Sequence, residues 1–202
     1  MQPCQYVTCE RFPCTDVQHE GYLVPGIEVK PEGIAIILIS EAAPTDAADD
    51  YYAEGNPLFQ QTTVQAFQDA GVDVSSVQDI LARGIYLTTA VKCAKTGYGI
   101  QTSTVKECSL LLEQEIALFP NLQAYLLMGD VAIKAVNYIA ARRGQPRVIP
   151  AGSTYKIRGA EYFFGGKRAF PSYLQAGPSF FIEKTKRKMI AEDIASALRL
   201  VK

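Results

Sequence analysis

The 202-residue sequence contains no tryptophan and a single histidine, and neither sign of charge dominates it: 20 Lys and Arg stand against 21 Asp and Glu, for a formal net charge of −1. That balance excludes a broadly basic nucleic-acid coat and an acidic tail, so any contact with nucleic acid has to use local patches. Long apolar runs are also missing. The longest, Ile34 to Ile39, falls far short of the roughly 20 residues that a membrane span needs. Met1 to Cys14 carries polar and charged residues and three cysteines where a signal peptide has an apolar stretch, so a cytoplasmic location is expected. The five cysteines are an odd set, expected in a reducing compartment as thiols or metal ligands rather than disulfides. What the sequence does have is apolar mass: 48% hydrophobic residues suffice for the core of a single domain over 1–202, with 1–30 a cysteine-containing segment packed on it.

The apolar residues fall into alternating patterns. Ile34 to Ile39 is a β-branched run suited to a strand covered on both faces, and it exits into Ser40-Glu41-Ala42-Ala43-Pro44. Gly84 to Val91 and Leu122 to Met128 read as two further strands. Between them, Thr62 to Ala70 predicts a helix closed by Gly71, and Thr104 is placed to cap a helix with Val105, Cys108, Leu112, Ile116 and Phe119 near one face. Asp130 is placed to cap the next, with Ile133, Val136, Ile139 and Ala140 as its apolar stripe. Val148 to Phe170 predicts one or two short strands, and Ile182 to Leu200 a terminal helix. Strands alternating with helices predict an α/β fold, a three-layer α/β/α sandwich on a mostly parallel sheet. Ligands of such sheets bind beyond the carboxyl ends of the strands, which directs attention to the exit at Ser40 to Pro44.

Four segments, in order, resemble the uracil-DNA glycosylase superfamily and in particular its iron–sulfur-containing bacterial and archaeal members. Ile37-Leu38-Ile39-Ser40-Glu41-Ala42 stands where that family has an apolar strand running into Gly-Glu-Ala-Pro-Gly, and Gly55-Asn56-Pro57-Leu58-Phe59 where it has Gly-x-Pro-Phe. Ile85 to Cys93 is similar to its Tyr-Ile-Thr-Asn-Val-Val-Lys-Cys strand, and Met128-Gly129-Asp130-Val131-Ala132-Ile133-Lys134-Ala135 to its Leu-Gly-x-x-Ala-x-Lys-Ala. Phe170-Pro171-Ser172-Tyr173 resembles the Phe-Pro-Thr-Tyr that precedes a catalytic His-Pro-Ser.

The resemblance implies an enzyme that flips a damaged base out of single- or double-stranded DNA and hydrolyses its N-glycosidic bond, since the reacting carbon is inaccessible in the stack. It makes Glu41 and Asp50 the catalytic candidates, a carboxylate at the strand exit being able to position water or stabilise a cationic transition state. A surface or helix-terminal carboxylate is the plain alternative for Glu41, and a solvated charge run for Asp46, Asp49 and Asp50. Ser40, Ala42, Phe59, Thr89 and Ser179 are the implied substrate contacts, with Leu58 standing in for Phe59 in a strict register and a core aromatic as the alternative. Two positions depart from the family. Thr89 replaces the Asn that reads the base edge, and a lone hydroxyl cannot make the paired contact of an amide. Leu174 or Gly177 falls where the catalytic His belongs, and neither side chain donates a hydrogen bond. His19, the sole histidine, lies apart from every matched segment and is expected at the surface or in N-terminal packing. A noncatalytic nucleic-acid- or nucleotide-binding protein on the same fold is the competing expectation, with a structural or redox role third.

By the same resemblance Cys9, Cys14, Cys93 and Cys108 supply the four thiolates of a [4Fe–4S] cluster, with Cys4 spare or replacing Cys9. Zinc is the alternative metal, and Cys108 on an apolar helix face also reads as an unligated buried thiol. The basic clusters nominate Lys167, Arg168, Lys184, Lys186 and Arg187 as DNA-facing, against a solvated helix face for Lys184 to Lys188. The default assembly is a monomer.

Overall fold

The computed structural model describes residues 1–201. Its centre is a six-stranded sheet in the order β1-β3-β2-β4-β6-β5. The strands are β1 (Val17–Gln18), β2 (Ile36–Ala43), β3 (Ile85–Lys95), β4 (Ala124–Met128), β5 (Tyr162–Phe164) and β6 (Lys167–Ser172). The four central strands, β3, β2, β4 and β6, are mutually parallel, and the edge strands β1 and β5 pair antiparallel to them. The helices are α1 (Leu58–Asp69), α2 (Val77–Ala82), α3 (Thr102–Ala117), α4 (Asp130–Arg142), α5 (Thr154–Ile157), α6 (Ser179–Ile182) and α7 (Lys184–Leu198).

Alternation along the strands builds two cores. Ile37 and Ile39 of β2 and Tyr125 and Leu127 of β4 pack with Val105, Cys108, Leu112 and Ile116 of α3 and with Ile133, Val136 and Ile139 of α4. On the opposite face, Ile36, Leu38, Ala124, Leu126 and Met128 pack with Phe67 of α1, Ile80 of α2 and Ile190 and Ile194 of α7. A strand buried on both faces has no polar side to show, which is why the run at Ile36–Ile39 is continuous rather than alternating. The result is the expected three-layer α/β/α sandwich. No helix among the described residues is long and apolar enough to cross a membrane.

Element bounds differ from the sequence reading where side chains are polar or small. β2 continues through Ser40 and Glu41 to Ala43, and β3 through Lys92 to Lys95, where it pairs with Val17 of β1. The helix expected from Thr62 starts earlier, at Leu58. Thr104 does not cap α3, which begins at Thr102; its hydroxyl instead meets the Asp16 carboxylate. Gly129, at φ 94°, occupies the cap position before α4, and a side chain there would meet Leu174.

The connections set the position of the ligand site. From β2 the chain moves outward to β3, then returns across β2 to β4 and on to β6. This reversal opens a crevice between the carboxyl ends of β2 and β4, the place where open parallel sheets bind ligands.

Candidate active site

A cleft of about 940 Å³ opens at that end of the sheet, lined by Glu41 to Ala47, Asp49, Leu58, Phe59, Lys95, Tyr98, Leu174 and Ala176 to Ser179. It lies within the range of small-molecule pockets. Three strand exits and the start of α1 meet there. The loop after β2 is tied down by its own carboxylates: Asp46 accepts the Ala48 N–H at 2.9 Å, and Asp49 accepts the Leu58 N–H at 3.1 Å, capping α1 from a distance and setting Phe59 beside the loop. The Glu41 carboxylate receives the Lys95 ammonium at 2.8 Å, and Lys95 also donates to the Tyr98 carbonyl at 3.2 Å. Tyr98 itself, flanked by Gly97 and Gly99, is fully exposed at the rim. Glu41, Asp46 and Asp49 make the lining acidic, and Lys95 is the one cation among the described lining residues.

Of the residues expected to act on substrate, Glu41, Ala42, Phe59 and Ser179 line the cleft. Three others do not. Ser40 is fully buried; it donates to the Thr88 carbonyl at 3.3 Å and accepts from Tyr51 Oη at 2.7 Å. Thr89 donates its hydroxyl proton to the Val91 carbonyl at 2.9 Å. Asp50 is buried beside the cleft, its carboxylate accepting the Tyr52 N–H at 3.2 Å, and burial raises its pKa above the usual 3.8. The loop after β6 is held equally firmly. Gln175, fully buried, donates to Tyr51 Oη at 2.8 Å and to Thr63 at 3.2 Å, continuing a hydrogen-bonded line through Tyr51 and Ser40 to β3. Gly177 adopts φ 113°, a backbone state in which any side chain is strained, and Leu174 packs on Gly129.

The nominated DNA contacts separate. Lys167 and Arg168 open β6, level with Ala124 and hence with Ile36, so they lie at the opposite end of the sheet, offset from Glu41 by roughly 17 Å along the strand direction at about 3.3 Å per residue. Arg168 is occupied by Glu161 at 3.6 Å and by the rings of Phe163 and Phe170. Parallel register, invisible in a charge cluster, removes both from the cleft. Lys184, Lys186 and Arg187 follow the cleft residue Ser179 through α6. Arg187 pairs with Asp69, Lys186 with Glu183, and Lys184 borders a second depression of about 440 Å³ with Arg187 and Lys188.

Cys9, Cys14, Cys93 and Cys108 share the lining of one small apolar cavity, walled by Phe12, Val17, His19, Tyr22 and Leu111. Cys4 is exposed, beside Gly26 and outside that lining. Burial, and then the proximity of the other three sulfurs, pushes the Cys93 thiol up to about 12; burial likewise raises Cys108 to about 11. No group of three or more His, Cys, Asp or Glu among the described residues is arranged to hold a single metal ion. His19 stays in the N-terminal packing, one ring nitrogen 2.8 Å from the Cys14 carbonyl.

Sequence reasoning missed Lys95 and Tyr98, whose only signals were a lysine beyond the apolar part of β3 and an aromatic between two glycines. It missed the Tyr51–Gln175 line, which joins segments far apart in sequence.

Comparison with known proteins agrees with this architecture. The chain is 25% identical over 122 residues to a protein named Type-5 uracil-DNA glycosylase, from Thermus thermophilus. That match covers 60% of this chain and 53% of the relative, so the chain matches about half of that protein's length. The family model described as Uracil DNA glycosylase superfamily matches residues 28–193, and the chain therefore belongs to the uracil-DNA glycosylase superfamily.

Proposed function

We propose that the protein is a DNA glycosylase that takes a flipped, damaged base into the cleft beyond β2 and hydrolyses its N-glycosidic bond. One observation carries this reading: Glu41, at the exit of a parallel strand, lies on the wall of a cleft large enough for a nucleobase and its sugar. As the glycosidic bond breaks, the sugar gains positive charge. The acidic wall of Glu41, Asp46 and Asp49 favours that charge, and Glu41 can take the proton of an attacking water. Phe59 offers a ring face to a flipped base, and Tyr98 offers one to a neighbouring base at the rim. Phosphate contact falls to Lys184, Lys186 and Arg187, which attract the backbone past the acidic mouth. Thr89 and Ser40 hold the strand ends in place and leave the base edge to other groups, so uracil is one base among several to be tested.

We propose that Cys9, Cys14, Cys93 and Cys108, which line one small cavity, would hold a [4Fe–4S] cluster, with those side chains moving apart to admit it. Four thiolates are the donor set of such a cluster, and zinc, held by the same four sulfurs, is the alternative. When bound, the cluster would supply a covalent clip between the N-terminal segment, β3 and α3. Thiols that have to stay reduced to ligate it fit a cytoplasmic location.

The test is release of free base from oligonucleotides carrying a panel of lesions, with Glu41→Gln alongside. Release that Glu41→Gln reduces at least about 100-fold supports the reading. The second reading, a binding protein without chemistry, is favoured by the inward hydroxyl of Thr89 and by Gly177, where a catalytic side chain is strained. Tight lesion binding with no base released would establish it instead.

A further inference from the structure

Cleaving an N-glycosidic bond leaves the bonding electron pair on the base nitrogen, so the departing base is an anion and needs a donor facing it. The positions expected to carry that donor provide none. Leu174 is apolar and packed on Gly129, Gly177 has no side chain, and Gln175 is turned to Tyr51 and Thr63 in the core. The side-chain donors left in the lining are the neutral hydroxyls of Thr45, Tyr98 and Ser179, and Lys95, the one that carries a positive charge.

We propose that Lys95 is the catalytic residue that stabilises the departing base, an assignment that rests on the glycosylase reading above. Lys95 stands at the end of β3 because pairing with Val17 extends the strand that far, and its side chain is about a third exposed to the cleft. Its ammonium is fixed by two acceptors, Glu41 Oε1 at 2.8 Å and the Tyr98 carbonyl at 3.2 Å, which leaves a third N–H for a ligand. The pair divides the reaction between its two charges. Water adds to the sugar carbon and gives its proton to Glu41, the carbon–nitrogen bond breaks with its electrons staying on the base, and the base anion lies against Lys95 until it takes up that proton. A charge-assisted hydrogen bond to the anion is stronger than the one made to the neutral base of the ground state, which is the condition for accelerating the chemical step.

Two measurements on the full-length protein test this. In the first, an acidic pyrimidine that is an anion at neutral pH, 5-nitrouracil, is titrated into protein bound to an abasic-site oligonucleotide, with uracil as the neutral control. Lys95→Met is expected to weaken 5-nitrouracil binding about tenfold or more while Lys95→Arg retains it and uracil binding changes little. In the second, base release is followed for uracil and for 5-fluorouracil, a better leaving group. Loss in Lys95→Met is expected to be about 100-fold for the poorer leaving group and clearly smaller for the better one. Equal 5-nitrouracil affinity in wild type and Lys95→Met, or no binding to either, overturns the role of Lys95, as does an equal loss for both leaving groups. Failure of the wild type to release any base overturns the glycosylase reading, and the binding experiment still decides whether Lys95 faces an anion.

Discussion

Lys92 of β3 and Glu115 of α3 form an ion pair in which both side chains are completely removed from solvent. Tyr86 Oη donates to the Glu115 carboxylate at 2.7 Å and Thr88 Oγ1 at 2.9 Å, while Lys92 also donates to Thr88 Oγ1 at 2.8 Å and to the Thr89 carbonyl at 2.7 Å. Every strong donor and acceptor of the pair is therefore used, and the network fixes the part of β3 that runs between Thr89 and Cys93.

Removing one partner strands the other charge in the core. Lys92→Met is expected to cost about 3–5 kcal/mol of unfolding free energy. The double variant Lys92→Met with Glu115→Leu should lose less than the sum of the two single changes, because no charge is then left unpaired. Urea unfolding of the four proteins gives the coupling; strict additivity would show that the pair does not act as a unit.

Asp50 sets a pH dependence of stability. Burial raises its pKa in the folded protein above its ordinary 3.8, against the opposing hydrogen bonds from the Tyr52 and Tyr51 backbone. The folded state thus holds this proton more tightly than the unfolded chain, and stability falls as pH rises from about 3.8 through the raised value. Asp50→Asn keeps an acceptor for the Tyr52 N–H and removes the buried charge. Its thermal midpoint should exceed that of the wild type at neutral pH, with the gap closing toward pH 4. Base release should survive the change, since Asp50 is not in the cleft lining; a loss like that of Glu41→Gln would return it to the chemistry.

The strand core was legible because burial on both faces leaves an uninterrupted β-branched run, and Ile36–Ile39 admits little else. The strand ends were not. Ser40 to Ala43 and Lys92 to Lys95 are polar or small, and only pairing with neighbouring strands makes them β. Within the site, Glu41, Ala42 and Phe59 follow from ordered motifs and Ser179 from the loop after Tyr173, whereas nothing in the sequence discloses that the Ser40 and Thr89 hydroxyls are used inside the fold. Lys167 and Arg168 show the same limit at longer range. A basic pair in sequence does not disclose which end of its strand it occupies, and the β4–β6 register puts it away from the cleft.

The cysteines should divide four to one. Cys4 is outside the thiol-lined cavity, so Cys4→Ser should retain metal, colour and stability. Serine at Cys9, Cys14, Cys93 or Cys108 should lower iron content and the thermal midpoint together, since ligation contributes directly to folding. Iron and sulfide analysis after anaerobic purification, with the absorption spectrum, measures this; a colourless protein holding one zinc per chain would overturn the cluster and keep the ligand set.

Tyr98 stands fully exposed at the rim of the cleft, between two glycines that give its loop no side-chain packing. An aromatic ring left in water forgoes the burial that normally retains it in a fold, and on the glycosylase reading proposed above a base beside the flipped one would cover it. A stacking contact of that kind contributes about 1–3 kcal/mol per base, so Tyr98→Ala should weaken binding to a lesion-containing oligonucleotide by roughly fivefold to a hundredfold or more. Tyr98→Phe keeps the ring face and should bind within about twofold of the wild type. Fluorescence of a 2-aminopurine placed beside the lesion reports the same event without requiring turnover, because unstacking brightens it and renewed stacking on Tyr98 quenches it. If Tyr98→Ala leaves both affinity and fluorescence unchanged, the ring does not touch DNA, and a hydroxyl-dependent effect lost equally in Tyr98→Phe would point to a hydrogen bond instead.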